Sequence, residues 1–207
     1  GVLRNDPTIA ARVEIPGIQQ PPPPRVTLHL RGTALDRYDG RSWSQSVPGT
    51  HPSENDAGLV PIERYPDVAV DAVMHVDLEP IDPPVIFLPP YATGIRLASR
   101  GQLSLDPAFM ALRGPEGELR YQPTDDRGLK YDVFVSRNKT PAFRRLPDAE
   151  RPRYLALPTD LPDRVRELGK EWTAGATTSQ ERAKAIEGHL RSDYRYDLAS
   201  PSGRDDQ

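Results

Sequence analysis

Histidines are the residues of this sequence best suited to acid–base or metal chemistry, and the four of them stand far apart: His29, His51, His75 and His189. His29 and His75 fall on the polar faces of predicted strands and could approach each other in a sheet, but the sequence places no third ligand beside them. A histidine that faces solvent from a strand is the simpler interpretation. The sequence therefore predicts no metal centre.

The serines and the missing cysteines bear on nucleophilic catalysis. Ser42, Ser44 and Ser46 flank Trp43, yet no Gly-x-Ser-x-Gly motif surrounds them and no ordered histidine and acid follow. The chain has no cysteine, which removes disulfides, thiolate metal ligands and a cysteine nucleophile together. We therefore predict no catalytic residue, no cofactor-binding residue and no metal ligand in this chain.

Acidic side chains form two further groupings. Asp125 and Asp126 lie between two strand-like segments, where neighbouring carboxylates usually belong to a solvated turn rather than to an acid–base pair. Asp36, Asp39 and Ser42 could be calcium ligands, but they lack the loop glycine and distal glutamate of a calcium-binding loop. Both groupings are interpreted as turns.

Composition and charge restrict the class of protein. The 207 residues include 24 prolines and carry a formal net charge of −3. Residues 1–140 hold 15 basic and 18 acidic side chains, and residues 141–207 hold 12 of each, so neither part is a basic body suited to nucleic acid. No run approaches the ~18 apolar residues of a membrane span, so we expect no membrane insertion by this segment.

The stretch from Arg31 to Trp43, RGTALDRYDGRSW, organises the predicted β structure. Alternating apolar residues lead into it, and Asp39-Gly40 is a strong signal for a tight turn. We predict a strand, a turn and a returning strand that places Trp43 where it anchors the sheet.

Residues 1–140 are predicted to form one antiparallel, β-sandwich-like domain. Prolines punctuate its short elements, as expected for turns and edge strands. A strand at 9–15 is followed by the stiff proline run 21–24, a loop at 44–66 and a long alternating strand at 68–78. Further short strands are predicted at 85–88, 94–98, 102–105, 109–112, 118–121 and 129–136.

Beyond residue 140 the period of the apolar pattern changes from two to 3.6 residues. Residues 141–158 are predicted to form a proline-rich linker, and residues 159–207 to contain two helices. Thr159 or Asp160 can cap the first helix, with Pro162 in its first turn.

The second helix has the clearer start signal. The first helix is predicted to end at Gly175, and Thr178 to Glu181 then matches a capping box. The apolar stripe of the second helix comprises Ala183, Ile186, Leu190 and Tyr194. A helical pair of this size has nothing after it to complete a core, so we expect the chain to be a piece of a longer protein.

Two parts of the sequence resemble one protein family. Arg31-Gly32, Tyr38-Asp39-Gly40 and Trp43 resemble the arginine-glycine, tyrosine-aspartate-glycine and tryptophan signature in the extracytoplasmic region of bacterial membrane-anchored transglutaminase-like proteins, which are also described as cysteine proteases. Tyr154 to Pro158, the two predicted helices and Tyr194-Arg195-Tyr196 resemble the lead-in to the transglutaminase-like core of that family.

The resemblance implies that this chain is a non-catalytic region of a longer enzyme. In that family membrane helices precede this region, and the core that follows it uses a cysteine nucleophile, a histidine and an aspartate for acyl transfer or amide hydrolysis through a thioester. No position here matches those residues, and His189 lies upstream of the expected nucleophile. We expect a non-catalytic, extracytoplasmic scaffold or substrate-access domain, tethered through membrane helices outside this chain. Its expected partners are the rest of the core and a protein or peptide substrate of the cell envelope.

A binding module is the alternative function. In that case the β domain recognises a cell-envelope glycan or protein, and the aromatic candidates are Tyr38, Trp43, Tyr65 and Tyr91. Two or more of them lining an exposed groove favour recognition, because solvent-facing aromatic residues in a cleft usually mark a contact surface. The sequence favours buried, core positions for them.

Overall fold

The computed structural model describes residues 8–17, 27–54, 58–62, 69–98, 111–122, 128–136 and 146–195. Several predictions lie outside these residues: the proline run 21–24, Tyr65, the strand at 102–105 and the carboxylates of Asp125 and Asp126. In chain order the elements are β1 (Ala11–Glu14), β2 (Arg37–Tyr38), β3 (Trp43–Ser44), β4 (His51–Pro52), β5 (Leu59–Pro61), β6 (Ala72–Leu78), β7 (Val85–Ile86), β8 (Ala92–Ala98), β9 (Ala111–Arg113), β10 (Leu119–Tyr121), β11 (Leu129–Val135), α1 (Arg151–Tyr154), α2 (Asp163–Trp172) and α3 (Ser179–Asp193).

The chain divides into two compact units. The β unit comprises the described residues of Thr8–Arg37 and Trp43–Ala156, and it holds the two larger sheets and α1. The helical unit comprises the described residues of Tyr38–Ser42 and Leu157–Gln207, and it holds α2 and α3.

Two antiparallel sheets make up most of the β unit. The five-stranded sheet has the order β1-β6-β11-β8-β5, and the four-stranded sheet has the order β4-β9-β10-β7. A further two-stranded sheet pairs β2 with β3 on either side of the Asp39-Gly40 turn. The predicted turn therefore joins two strands, although both are only two residues long.

Alternation explains the position of β6 inside the five-stranded sheet. Met74, Val76 and Leu78 are buried, while His75 between them is exposed. A strand with one apolar and one polar row buries only one face, because successive side chains point to opposite faces. The alternation predicted here is confirmed, although the strand begins at Ala72 rather than at residue 68.

Buried side chains from both sheets form one hydrophobic core. Fully buried members come from the five-stranded sheet (Leu78, Ile95, Val133) and from the four-stranded sheet (Ile86, Leu119). Burying a side chain of this size contributes about 1.5–3 kcal/mol, so this shared core is what holds the two sheets together. The predicted fold class, mainly antiparallel β and sandwich-like with a short helical segment, is confirmed.

One buried tyrosine joins the two sheets by hydrogen bonds as well. Tyr131 lies on β11, and its hydroxyl donates to the Phe87 carbonyl at 3.0 Å and accepts from the Phe87 N–H at 3.1 Å. Phe87 directly follows β7 of the other sheet. Burial raises the pKa of Tyr131 above its usual value, so the hydroxyl keeps its proton.

Replacing Tyr131 with phenylalanine is expected to destabilise the β unit by about 1–3 kcal/mol, because the Phe87 N–H and carbonyl lose their partner in the interior. Hydrogen exchange at the Val133 amide, on the same strand, measures the free energy of opening. An exchange rate equal to that of the wild-type chain would contradict the bridging role of the hydroxyl.

Two strands fall inside residues 44–66, which the sequence predicts to be a loop. β4 and β5 contain Pro52 and Pro61, and each lies at the edge of its sheet. Proline is tolerated in an edge strand because its missing N–H need not enter the ladder. The loop prediction is wrong there because it treated proline as excluding any strand, whereas proline excludes only central strands and is compatible with short edge strands.

Trp43 does not anchor a sheet, contrary to the prediction. Its side chain is 59% exposed. The strand predicted before the turn is not formed as a continuous strand in the described residues ahead of β2. That segment makes only the isolated antiparallel pair Arg31–Leu88. Leu88 is followed by Pro89 and Pro90, which have no N–H to continue the ladder.

The start of α2 lies beyond the predicted caps. Pro162 is the N-cap residue, and the Leu161 N–H bonds to the Pro158 carbonyl at 3.3 Å in a preceding turn. That turn contains Thr159 and Asp160, so neither residue caps the helix. The prediction is wrong by a few residues because the local turn competes with the cap.

The end of α2 also differs from the prediction. The helix ends at Trp172 rather than at Gly175, and Thr173 is its C-cap residue. The Thr173 hydroxyl donates a 2.7 Å hydrogen bond to the Gly169 carbonyl, which satisfies a carbonyl near the helix end. Threonine in this role carries less sequence signal than a C-terminal glycine.

The predicted capping box of α3 is confirmed. The Glu181 N–H donates to the Thr178 hydroxyl at 3.2 Å, and the Glu181 carboxylate accepts from the main-chain N–H groups of Thr177 and Thr178 at 2.8 and 3.0 Å. The bonds from Thr178 and Thr177 lower the pKa of Glu181 from its usual 4.5 to about 2. A carboxylate at a helix N-terminus is also favoured by the helix dipole.

We therefore expect the Glu181 carboxyl carbon to titrate near pH 2 in an NMR experiment on the whole chain. Because the folded pKa is lowered, the stabilisation of α3 is fully present above about pH 4.5 and is lost as the pH falls towards 2. A Thr177→Val variant loses the hydroxyl bond to the Glu181 carboxylate, so its midpoint should lie above that of the wild type, while the main-chain bonds from Thr178 and residue 177 keep it below 4.5. A wild-type midpoint of 4.5 would contradict the capping role.

The contacts between α2 and α3 are aromatic and partly exposed. The Trp172 ring stacks on His189 with a centroid distance of 4.7 Å and meets Tyr194 edge-on at 6.1 Å. No residue of α2 or α3 is buried, although both helices are described over their whole length. None of the described helices is long and apolar enough to cross a membrane.

Candidate functional site

The four histidines are not brought together. His75 lies 2.6 Å from Asp132 on the neighbouring strand, and His189 lies 2.9 Å from Asp193 one helical turn onwards. Within the described ranges no group of three metal-binding side chains could hold an ion. The other two histidines are exposed and belong to neither pair: His29 and His51.

The polar residues of the turn are engaged with each other. Asp39 accepts hydrogen bonds from the main-chain N–H groups of Arg41 and Ser42 at 2.8 and 2.7 Å, and from the Ser42 hydroxyl at 2.9 Å. These bonds, that from the Ser42 N–H foremost, lower the pKa of Asp39 to about 2. A carboxylate used in this way closes a turn, and with a pKa of about 2 it is too weak a base to activate the Ser42 hydroxyl beside it.

A cluster of polar side chains at the base of the hairpin lies within the β unit, and we call it the hairpin-root cluster: Asp36, Ser46, Glu116, Arg153 and Tyr154. The Asp36 side chain is 2% exposed. It accepts from the Ser46 N–H at 2.7 Å and, at short range, from the Ser46 hydroxyl. The Ser46 hydroxyl contributes most to lowering the pKa of Asp36, and the Arg153 charge adds to it against the opposing effect of burial.

Arg153 connects the two halves of this cluster. Its Nε lies 3.1 Å from an Asp36 carboxylate oxygen, and its Nη2 lies 2.6 Å from Glu116 Oε1. The guanidinium also lies over the Tyr154 ring, 4.5 Å from its centroid. The Tyr154 hydroxyl accepts a short bond from Arg153 and donates to Glu116 at 2.7 Å. Each charge therefore has an opposite partner.

A second buried carboxylate lies close to the cluster. Glu118 is 2% exposed and accepts from the Gln45 side-chain amide at 2.5 Å and from the Glu116 N–H at 3.1 Å. Gln45 in turn accepts from Arg120 at 3.1 Å. Both oxygens of the Glu118 carboxylate are engaged in this way, whereas Arg120 Nε is buried without a hydrogen-bond partner among the described residues. Since no nucleophile in this network stands beside a free base, the network supports structure rather than catalysis.

Sequence reasoning did not find the hairpin-root cluster. Arg153 lies in the predicted linker, where the structure places α1, and Glu116 lies in a predicted turn. Charged residues in such segments are expected to be solvated. The available signal was Asp36 inside the family motif, but its partners are remote in sequence and are defined only by the folded sheet.

A cavity of about 390 Å³ opens on another part of the β unit, beside Tyr91. Tyr91 has a positive φ of 65°, a conformation that costs about 1–3 kcal/mol for a residue other than glycine. It follows two prolines, and the Ala92 N–H bonds to the Pro89 carbonyl at 3.4 Å, so it occupies the third position of a tight turn. His29 and Arg31 lie at the same cavity.

The three described aromatic candidates are not core residues, which corrects the interpretation favoured by the sequence for them. Trp43 is 59% exposed and Tyr91 is 47% exposed. Tyr38 is half-buried, and its hydroxyl donates to the Gly40 carbonyl at 2.7 Å. Only Tyr91 of these described residues lines the cavity. Trp43 is exposed because the two short strands of the hairpin lie outside the two core sheets, and Tyr91 is exposed because it lies in the turn before β8.

Comparisons with known proteins agree with this architecture. Two crystal structures of the periplasmic domain of TgpA from Pseudomonas aeruginosa, one of them bound to ethylmercury, match with TM-scores of 0.63 and 0.60, each at 18% identity. The matches cover 97% of this chain and 62% and 63% of those chains, so the chain spans less than two thirds of their length. At this identity the likeness shows the fold. No curated protein matches the chain.

The family described as TgpA N-terminal domain matches residues 1–142, more than half of the chain. That range includes the Arg31 to Trp43 motif and nearly all of the β unit. The chain belongs to the TgpA N-terminal domain family, and the family resemblance predicted from its sequence is confirmed.

Proposed function

We propose that this chain is the non-catalytic N-terminal portion of a membrane-anchored transglutaminase-like enzyme, in which it acts as a scaffold or substrate-access domain. Acyl transfer or amide hydrolysis would be performed by a Cys-His-Asp triad located after residue 207. In this proposal residues 1–140 form the accessory β domain, 141–158 the linker and 159–207 the start of the core. The extracytoplasmic location and the membrane tether are parts of the same proposal, supported by the likeness to a periplasmic domain.

The observation that carries the proposal is the exposed apolar face of the helical unit. Val165 and Leu190 are 43% and 50% exposed, and Tyr194 is more exposed still. α2 and α3 have the apolar spacing of helices that pack on a core, yet no residue of either is buried. We infer that the remainder of the transglutaminase-like core covers this face.

The residue types present in the chain support the proposal that this segment is non-catalytic. Thioester formation needs a cysteine thiolate as nucleophile, and the sequence has no cysteine. The most polar buried region, the hairpin-root cluster, has its charges paired. Catalytic residues of the parent enzyme would therefore all come from outside this segment.

The hairpin-root cluster is suited to a scaffold role. Arg153 fixes α1 to the β unit through Asp36 and Glu116, and α1 ends shortly before the helical unit begins. A fixed α1 determines where the chain leaves the β unit. The cluster would thereby set the position from which the core starts.

Hydrogen exchange tests the proposed packing of the helical unit. Amides of α2 and α3 should exchange at least about tenfold more slowly in the longer parent protein than in this chain, because packing of the apolar face raises the free energy of local opening. Amides of β11 serve as the internal control and should exchange equally in both. Equal exchange of α2 and α3 in both proteins would contradict the packing.

Recognition of a cell-envelope glycan or protein by the β unit is the second candidate function. The exposed Tyr91 at the cavity favours it, because an aromatic side chain kept at a strained backbone position outside the core is typical of a binding surface. This function is compatible with a substrate-access role, since substrate recognition and access would then share one domain.

A further inference from the structure

The cavity beside Tyr91 is the feature of the β unit with the clearest unassigned chemistry. We propose that it binds the bulky apolar side chain of an extended peptide whose main chain pairs with the open main chain of residues 27–29, just before the isolated Arg31–Leu88 bridge. This inference rests on the recognition function proposed above and names its partner class. The scaffold function does not depend on it.

The walls of the cavity determine which chemistry fits. They are formed largely by aliphatic side chains: Leu30, Ile62, Ile86, Leu88 and Leu119. A volume of about 390 Å³ accommodates a large side chain with part of its main chain. The cavity also has polar side chains at His29, Arg31, Glu118 and Tyr91, but a sugar ring carries hydroxyl groups on several sides, and those that face the aliphatic walls would lack partners, which costs free energy. An aromatic or aliphatic side chain has no such cost.

The open main chain at residues 27–29 follows from the register of one isolated β-bridge. The Arg31 N–H donates to the Leu88 carbonyl at 2.9 Å, and the Leu88 N–H donates to the Arg31 carbonyl at 3.0 Å. Continuing this antiparallel register places His29 opposite Pro90, which has no N–H to donate. In the described part of the chain, no hydrogen bond engages the main chain of His29.

An unpaired extended segment beside an apolar cavity matches a known mode of peptide recognition. The peptide adds a strand to the open edge through main-chain hydrogen bonds, and alternate side chains enter pockets that give specificity. His29 and Leu30 belong both to the segment and to the cavity wall. One ligand can therefore use the edge and the cavity at once.

Tyr91 gives independent support. Its positive φ is the conformation in which a turn of this kind normally uses glycine, and its exposed side chain is not required by the core. Tyrosine at the cavity rim supplies a flat apolar face and a hydroxyl. Both suit contact with a peptide side chain and its main chain.

Charge at the cavity indicates which flanking residue the peptide carries. Arg31 is exposed beside the cavity and uses its Nη2 to donate to the Glu116 carbonyl at 2.6 Å. The remaining guanidinium donors face an acidic group favourably. We expect an aspartate or glutamate next to the apolar residue.

Fluorescence anisotropy on the whole chain tests the inference. The probes are labelled pools of N-acetylated octapeptides that fix phenylalanine, leucine, serine or lysine at the centre, with an adjacent aspartate. The phenylalanine and leucine pools should bind at least about tenfold more tightly than the serine and lysine pools. N-methylation of the residues beside the fixed position should weaken binding about fivefold, because it removes main-chain donors.

Two variants distinguish peptide binding at the cavity from nonspecific binding to exposed aromatic side chains. Tyr91→Gly should weaken binding of the phenylalanine pool about tenfold while the melting temperature does not fall, because glycine relieves the strained backbone. Trp43→Ala removes an aromatic side chain that is more exposed than Tyr91 and lies outside the cavity, so it should leave binding unchanged.

The opposite results overturn the inference. Equal binding of all pools, or no saturable binding of any pool up to about 1 mM, excludes a peptide pocket of this kind. Binding of N-acetylphenylalanine amide as tight as that of its octapeptide pool, with no effect of N-methylation, identifies a small-molecule site instead. Chitotetraose binding without peptide binding overturns the peptide class but leaves recognition in place.

Discussion

A Gly128→Ala variant is expected to lose the folded β unit, the largest effect predicted for any single substitution here. A Cβ atom at this position would lie 1.8 Å from the Leu78 carbonyl oxygen and 2.8 Å from its carbonyl carbon. Gly128 immediately precedes β11, whose first residue pairs with Leu78 on β6. The clash is with main chain at the paired ends of β6 and β11, two inner strands of the larger sheet, so the ladder between them would have to open from that end.

The expected cost is about 4 kcal/mol or more, a large part of the stability of an ordinary domain. The loss of stability would be measured as faster hydrogen exchange at the Val133 amide. Gly94→Ala is the matched control in the same sheet, because its Cβ would meet the nearest atoms at 3.4 Å, an ordinary contact distance. Retention of wild-type protection in Gly128→Ala would contradict the strand pairing described here.

Asp36→Asn is expected to cause the second largest loss, about 2–3 kcal/mol, because a buried charge-assisted network loses its carboxylate. The amide would turn a donor towards Arg153 or the Ser46 hydroxyl, where the native group accepts. The rate of hydrogen exchange at the Tyr131 amide measures the free energy of opening of the β unit. Asp39→Asn is the matched control in the same hairpin, since that carboxylate is exposed and bonds only within its turn.

The loss of folding stability caused by Asp36→Asn should become smaller as the pH falls. The folded pKa of Asp36 lies below the usual 3.8, so the stabilisation is fully present above that pH and is lost as the pH falls through the folded pKa. The difference between wild type and variant should therefore be greatest near neutral pH and shrink in acid. A difference that grows below pH 3.8 would contradict the assignment.

Local patterns allowed some elements to be predicted well. The alternation in β6 and the capping box of α3 depend on residues close in sequence, so the pattern contains the physical cause. The Asp39-Gly40 turn is likewise local. The hairpin motif also identifies the family.

Other features depend on contacts between remote segments. Trp43 was expected inside, but the hairpin that carries it lies outside both core sheets. Asp36 and Arg153 are more than a hundred residues apart and become partners only after the β unit folds. The cavity beside Tyr91 arises where one ladder stops at a proline, which depends on strand register rather than on residue type alone.

Substrate access gives the two proposals a common physical basis. The hairpin-root cluster would hold the point at which the chain leaves the β unit, while the Tyr91 cavity would bind a peptide on that same unit. A peptide bound there would be held on the same polypeptide as the proposed enzyme core. Binding energy used in this way raises the effective concentration of substrate.

The central claim is that this chain has no catalytic activity of its own. The direct measurement is incorporation of a fluorescent primary amine into a glutamine-donor protein, with the longer parent protein in parallel as the positive control. We predict no incorporation by the 207-residue chain above the uncatalysed background, and turnover by the parent that is lost when its cysteine nucleophile is replaced. Enzyme-level turnover by this chain alone would contradict the account.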